Sequence, residues 1–135
     1  MKSKLRKITI DNQQYGYIVS GQYYAETKTN SLAVKIFLIE KKQTPLVIYF
    51  ETNGIYFCLG HDEMTSPLMS GIGLENKVTN TVDKININEP KYIRQLILYG
   101  RKNGWTGYNK MEKQNGLTYL QALGYETNSL LPINK

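Results

Sequence analysis

The chain has 135 residues, 41% of them hydrophobic and 21% charged, with a formal charge of +6. That length and balance suit one domain around a packed core and exclude a low-complexity or disordered chain. No apolar run approaches the roughly 20 residues of a membrane-spanning helix, and the lone cysteine, Cys58, excludes an internal disulfide.

The opening MKSKLRKITI is basic and has no apolar stretch of the kind a secretion signal needs, so a cytoplasmic location is expected. Ile8 and Ile10 alternate with polar neighbours, Asp11-Asn12 supplies a turn, and Tyr15, Tyr17 and Val19 share one face of a second strand. This spacing predicts a β-hairpin. In the next run, Leu32, Val34, Ile36 and Leu38 point one way, and Ala33, Phe37 and Ile39 point the other, interrupted by Lys35. A strand apolar on both sides predicts a central position with cover over each face. Lys41 to Pro45 reads as a polar break, with Pro45 opening the next strand, where a missing donor does least harm. Leu46, Ile48 and Phe50 then alternate with Val47 and Tyr49, and this strand should pair antiparallel with the one before. Asn53-Gly54 is a hairpin-turn dipeptide followed by Ile55-Tyr56-Phe57.

From His61 to Glu75 no periodicity survives, which predicts an irregular loop. The segment from Val78 to Ile87 carries apolar residues at Val78, Val82, Ile85 and Ile87 and reads as a strand leading into a helix. Pro90 belongs in the first turn of that helix, because its missing N–H has no intrahelical partner to lose. Asn88 is placed to cap it, and Glu89 suits the positive end of the dipole. Asn103-Gly104 should end it, with Arg101 and Lys102 in the last turn. Helical spacing puts Ile93, Leu96, Ile97 and Gly100 on one face, flanked by Tyr92 and Tyr99, and Lys91, Arg94, Gln95, Arg101 and Lys102 on the other. Leu98 falls in the middle of the basic face. Gly100 costs about 1 kcal/mol against alanine inside a helix, so it should mark a close approach to the sheet. Trp105 is expected to fold back into the core. A short second helix is predicted from Leu117 to Leu123, with Leu117, Tyr119, Leu120 and Leu123 inward and Gly124 as its stop.

The expected architecture is α+β: an antiparallel sheet of four to six strands, the helix from about 90 to 102 across one face, and a short C-terminal helix. Residues 1–126 form the domain, and 127–135 form a loose tail. The strand-rich N-terminus, with Pro90, Ile93-Arg94, Leu96-Ile97, Tyr99 and Asn103-Gly104-Trp105, resembles small uncharacterised bacterial α+β proteins. Some of those are encoded in mobile gene cassettes, and some sit beside toxin genes as immunity proteins. The resemblance covers about residues 32–105 and implies no catalytic residues.

Charge is unevenly placed. The first ten residues carry +4, residues 11–83 carry −3, residues 84–113 carry +5, and the remainder balances. Such asymmetry points to an acidic partner as well as to solubility. Chemistry is sparse. Cys58, His61, Asp62 and Glu63 give a C-x-x-H half-site, but His61 is the sole histidine and no second Cys or His pair exists to complete a zinc site. A Cys58–His61 nucleophile pair would need a bend, since residues three apart on an extended strand face opposite ways. Gly71-Ile72-Gly73 lacks the third glycine and the helix of a dinucleotide fingerprint. No metal or cofactor is therefore expected, and no enzymatic activity. Two partner classes remain. The first is another protein, met by Arg94, Leu98, Arg101 and Lys102 on the helix and by Asp62 and Glu63 on the loop, as in an immunity-type inhibitor. The alternative is nucleic acid, stacked on Tyr15, Tyr17, Tyr23 and Tyr24 beside the basic N-terminus.

Overall fold

The computed structural model describes residues 5–24, 26, 29–53, 68, 72–109, 111 and 113–127; of these, 22–24, 29, 30, 53 and 72 are described by backbone alone. The fold is α+β. Strands β1 (Arg6–Ile10), β2 (Gln13–Tyr24), β3 (Thr29–Leu38) and β4 (Lys41–Asn53) form an antiparallel meander. Strands β5 (Ile72–Asn76) and β6 (Thr81–Ile85) form a separate antiparallel ribbon. Helix α1 (Pro90–Lys102) follows, then the two-residue strand β7 (Gln114–Asn115), parallel to β4, and helix α2 (Gly116–Ala122). The larger sheet therefore has the order β1-β2-β3-β4-β7. A single sheet was expected; the structure divides the strands between two.

The first hairpin closes as its residues predict. Asp11 and Asn12 both adopt positive φ, 52° and 68°, the left-handed pair that a tight two-residue turn requires and that Asp and Asn tolerate. Ile10 pairs with Gln13 across it. The β3–β4 connection departs from expectation. The turn is Ile39-Glu40, and Lys41 already pairs with Leu38. Between the pairs Ile36–Leu46 and Leu38–Lys41, β3 advances two residues while β4 advances five, so Lys42 to Pro45 leave the ladder. Pro45, with no N–H to give, sits where no ladder bond is needed. Thr44 in the displaced stretch bonds elsewhere: Trp105 Nε1 donates to its carbonyl at 3.2 Å, and its side-chain Oγ1 donates to the Gly107 carbonyl at 2.7 Å.

One face of the sheet carries the core. Leu32, Val34, Ile36 and Leu38 of β3 and Leu46, Ile48 and Phe50 of β4 are all buried, together with Tyr15 and Tyr17 of β2. Ile93, Leu96 and Ile97 of α1 and Leu117, Tyr119 and Leu120 of α2 close over them. Gly100 permits the contact, since a Cβ there would stand 2.5 Å from Leu46 Cδ2. The opposite face of β3 was expected to lie under a second layer. Among the described residues its cover is lateral instead: Phe37 is buried because its ring lies over Gly16, and Lys35 is exposed.

Helix α1 starts at Pro90, but its cap is Glu89, not Asn88. The residue before a proline is driven to extended backbone, and Glu89 adopts φ −76°, ψ 137° with no side-chain cap bond. Asn88 is drawn into the preceding turn, where its N–H donates to Asn86 Oδ1 at 3.0 Å. In α2 the cap is a side chain: Asn115 Oδ1 accepts from the Leu117 N–H at 2.9 Å. Both helices end alike. Gly104 and Gly124 have φ 109° and 103°. The following aromatic, Trp105 or Tyr125, donates its N–H back to Gly100 or Leu120, a Schellman closure. Trp105 is buried as expected, whereas Leu123 is only half-buried.

Two further expectations are corrected here. Residues 72–75 belong to a strand, not to an irregular loop, and the strand after them is shorter than predicted, with Val78 and Val82 more than 70% exposed. Asn76 explains both. Its Oδ1 accepts the N–H groups of Val78 and Thr79 and so closes a turn after β5, while its Nδ2 donates to the Leu123 carbonyl. Beyond α2, Thr127 is buried and accepts a 2.8 Å bond from Gln121 Nε2, so the tail is tethered at its first residue. The Gly54 turn with Ile55 to Phe57 lies outside the described residues, as do Cys58, His61, Asp62 and Glu63.

Candidate interaction surface

The helical repeat that sends Ile93, Leu96, Ile97 and Gly100 inward leaves Lys91, Arg94, Leu98 and Lys102 outward. All four are exposed, and Leu98 shows 39% of its surface. Among the described residues neither Arg94 nor Lys102 has an ion-pair partner. The Lys91 ammonium stands 5.0 Å from the centre of its neighbour Tyr92's ring. Arg101 is different. Its guanidinium donates to Asp11 Oδ2 at 3.3 Å, which ties the end of α1 to the first hairpin turn. The four helix residues singled out from sequence thus share one helix, but Arg101 serves an internal contact. Arg101's partner Asp11 was legible as a turn residue and not as a charge pair, because the two lie 90 positions apart.

The hairpin turns and the loop after α1 build a second feature that the sequence did not announce. Asn12, Gln13, Gln14, Leu38, Ile39 and Glu40 line a cleft of about 280 Å³. Half-exposed Tyr108 donates its hydroxyl to Glu40, which raises the phenol's pKa above its ordinary value. The loop carrying Tyr108 is held by Asn109, whose Oδ1 accepts from the Thr106 N–H and hydroxyl and whose Nδ2 donates to the Gly104 carbonyl.

Tyr15 and Tyr17 do not offer a stacking platform. Both are buried on the core face, Tyr15 with its ring 5.9 Å from Trp105. Burial pushes the Tyr15 phenol's pKa up, against the opposing pull of Arg101. The side chains of Tyr23 and Tyr24 lie outside the described residues. A further polar knot ties the ribbon to α1 and to the segment after α2: the Tyr92 hydroxyl donates to the Lys84 carbonyl at 3.0 Å, and the Tyr125 hydroxyl donates to Asp83 Oδ2 at 2.9 Å. Burial, reinforced by the Asp83 bond, pushes Tyr125 up to about 12.

Among the described residues no group of three His, Cys, Asp or Glu side chains is gathered to hold a metal ion. Ile72 and Gly73 stand in strand β5, not in a loop that opens a helix. No described helix is long and apolar enough to cross a membrane. Comparisons with protein-family models, with characterised proteins and with solved structures find no match.

Proposed function

We propose that this chain is a non-catalytic protein-binding module that covers an acidic surface of its partner with the outer face of α1, in the manner of an immunity-type inhibitor of a bacterial toxin. The observation that carries the reading is Leu98. It is an exposed leucine on a rigid helix, with Lys91, Arg94 and Lys102 around it. An apolar anchor within a charged rim is the arrangement that recognition surfaces favour. The rim's cations speed encounter with an acidic partner and set its orientation, while burial of the leucine slows release. Inhibition follows from occlusion and needs no chemistry from this chain. Asp62 and Glu63 remain candidates for a second contact of opposite sign.

The alternative, nucleic-acid binding by a basic surface, keeps its charge but loses stacking support at Tyr15 and Tyr17, which line the core. The test is co-purification from native lysate by the wild type and by a Leu98→Asp, Arg94→Glu double variant. The expected result is a partner retained by the first and lost by the second, with thermal unfolding unchanged. Elution of the protein alone, or equal retention by both, overturns the proposal. Binding to an oligonucleotide that weakens steeply with salt favours the alternative.

A further inference from the structure

Strand β1 forms one edge of the larger sheet, and among the described residues no strand lies on its outer side. The two-residue turn fixes which backbone groups face that edge. Ile10–Gln13 flanks the turn as a mutually bonded pair, so Ile8–Tyr15 and Arg6–Tyr17 are bonded too. The N–H and C=O groups of Lys7 and Thr9 therefore point away from β2. Both residues are exposed.

The ground beside this edge is basic. Arg101 reaches Asp11 at the β1–β2 turn, which fixes the flank of α1 that faces β1. Arg94, two turns earlier, shares that flank; Tyr99, on the opposite flank, packs edge-on against Tyr119 of α2 with ring centres 4.6 Å apart. Arg6 and Lys7, both exposed, supply two more cations on the strand itself. A second copy of β1 brought alongside would set these charges against their like, which deters self-pairing. An acidic strand meets no such barrier.

Resting on the protein-binding reading above, we infer that the open edge of β1 receives an extended acidic segment of the partner as an added strand. Main-chain bonds to Lys7 and Thr9 hold it in register. Paired antiparallel, its alternate carboxylates share one face of the sheet and meet Arg94 and Arg6 on the α1 side, while the residues between them bond Lys7 and Thr9.

The test uses the full chain and three capped synthetic octapeptides: alternating Glu and Val, alternating Lys and Val, and alternating Glu and Pro. The last matches the first in charge but puts proline, which has no N–H, at the positions that bond Lys7 and Thr9 when its glutamates face Arg94. Amide hydrogen exchange read residue by residue is expected to slow at least about tenfold at Lys7 and Thr9 with the Glu–Val peptide alone. Arg94→Glu should weaken that binding about five- to tenfold. Lys7→Pro, which deletes an outward N–H, should abolish it, and Arg94→Glu leaves β1 intact should the proline variant misfold. Perturbation confined to Leu98 and its neighbours, with exchange at Lys7 and Thr9 unchanged, overturns the strand addition and leaves docking on the helix face standing. Equal binding of the Glu–Pro or Lys–Val peptide overturns it, as does no binding by any peptide. Concentration-dependent dimerisation that Lys7→Pro removes overturns it in favour of a second copy.

Discussion

The two helices stop by the same local device and are tied down by opposite chemistry. After α1, the Schellman turn at Gly104 delivers Trp105 into the apolar core, with its one polar atom satisfied by the Thr44 carbonyl. After α2, the turn at Gly124 delivers Tyr125 to a carboxylate, Asp83, and the next residues pair with β5 through Lys77 N–H to Gly124 carbonyl and Glu126 N–H to Glu75 carbonyl. An ion pair, Lys77–Glu126 at 3.3 Å, adds to the second tie. A glycine at positive φ decides only that the chain reverses. The aromatic that follows decides whether the reversal is held by packing or by a titratable bond.

The largest break in the comparison should come from Trp105→Ala. It empties a site 1% exposed at the centre of the core and is expected to cost about 3–5 kcal/mol in urea unfolding. The paired glycines should separate next. At Gly104 an added Cβ meets nothing within 4 Å, so Gly104→Ala should cost about 1–2 kcal/mol from backbone strain alone. At Gly124 the same atom falls 2.6 Å from Asn76 Oδ1 and 2.8 Å from Val78 Cγ2. Gly124→Ala should therefore lose about 2–4 kcal/mol, strain and crowding together. Equal losses at the two glycines would show that the turns, not their surroundings, set the cost.

Alkaline pH should sharpen the contrast. The folded chain holds Tyr125 protonated up to about 12 against an ordinary 10.0. Its contribution is therefore complete below about pH 10 and is lost as pH rises through about 12. Tyr15, Tyr92 and Tyr119 are raised in the same direction, chiefly by burial, and add to the loss. Tyr125→Phe should lower the urea midpoint at neutral pH and flatten its fall in alkali. Trp105→Phe should leave that fall as steep as in the wild type. The smallest effects belong to the surface. Asp11→Asn, which keeps a residue that tolerates the left-handed backbone, should cost about 0.2–1 kcal/mol through loss of the exposed pair with Arg101. Leu98→Asp should fall within about 0.5 kcal/mol of the wild type. A large loss of stability at Leu98 would mean that the residue packs in the fold and is not held out for a partner.

Elements whose code is local were legible beforehand. The Asp11-Asn12 turn, the span of α1 from proline to lysine, its inward stripe and the glycine stops of both helices each rest on spacing or on a backbone preference within a few residues. The misses share a cause. Lys41 to Pro45 were read as a break because their polarity suits a linker, whereas β4 begins at Lys41 and Thr44's carbonyl and hydroxyl are bonded by Trp105 and Gly107, more than sixty residues away. Strand β5 was read as loop because Gly73 and Asn76 weaken any strand pattern, and only the bond from Asn76 to Leu123 shows why an amide stands there. The candidate surface divides the same way. Exposure of Arg94, Leu98 and Lys102 followed from helical period, while the capture of Arg101 by Asp11 did not.

By itself the sequence determined where the first hairpin turns, where α1 and α2 stop and which face of α1 is apolar, because φ preferences and a period of 3.6 act between neighbours. Tertiary structure alone decided that the strands divide into a sheet and a ribbon, that Tyr15 and Tyr17 face the core, Tyr15 against Trp105, and that among the described residues no strand pairs with the outer side of β1, which lies beside a basic flank. Those outcomes depend on pairings between residues tens of positions apart. Loop-closure entropy must be overcome before any such contact gains, so no short window of residues encodes them.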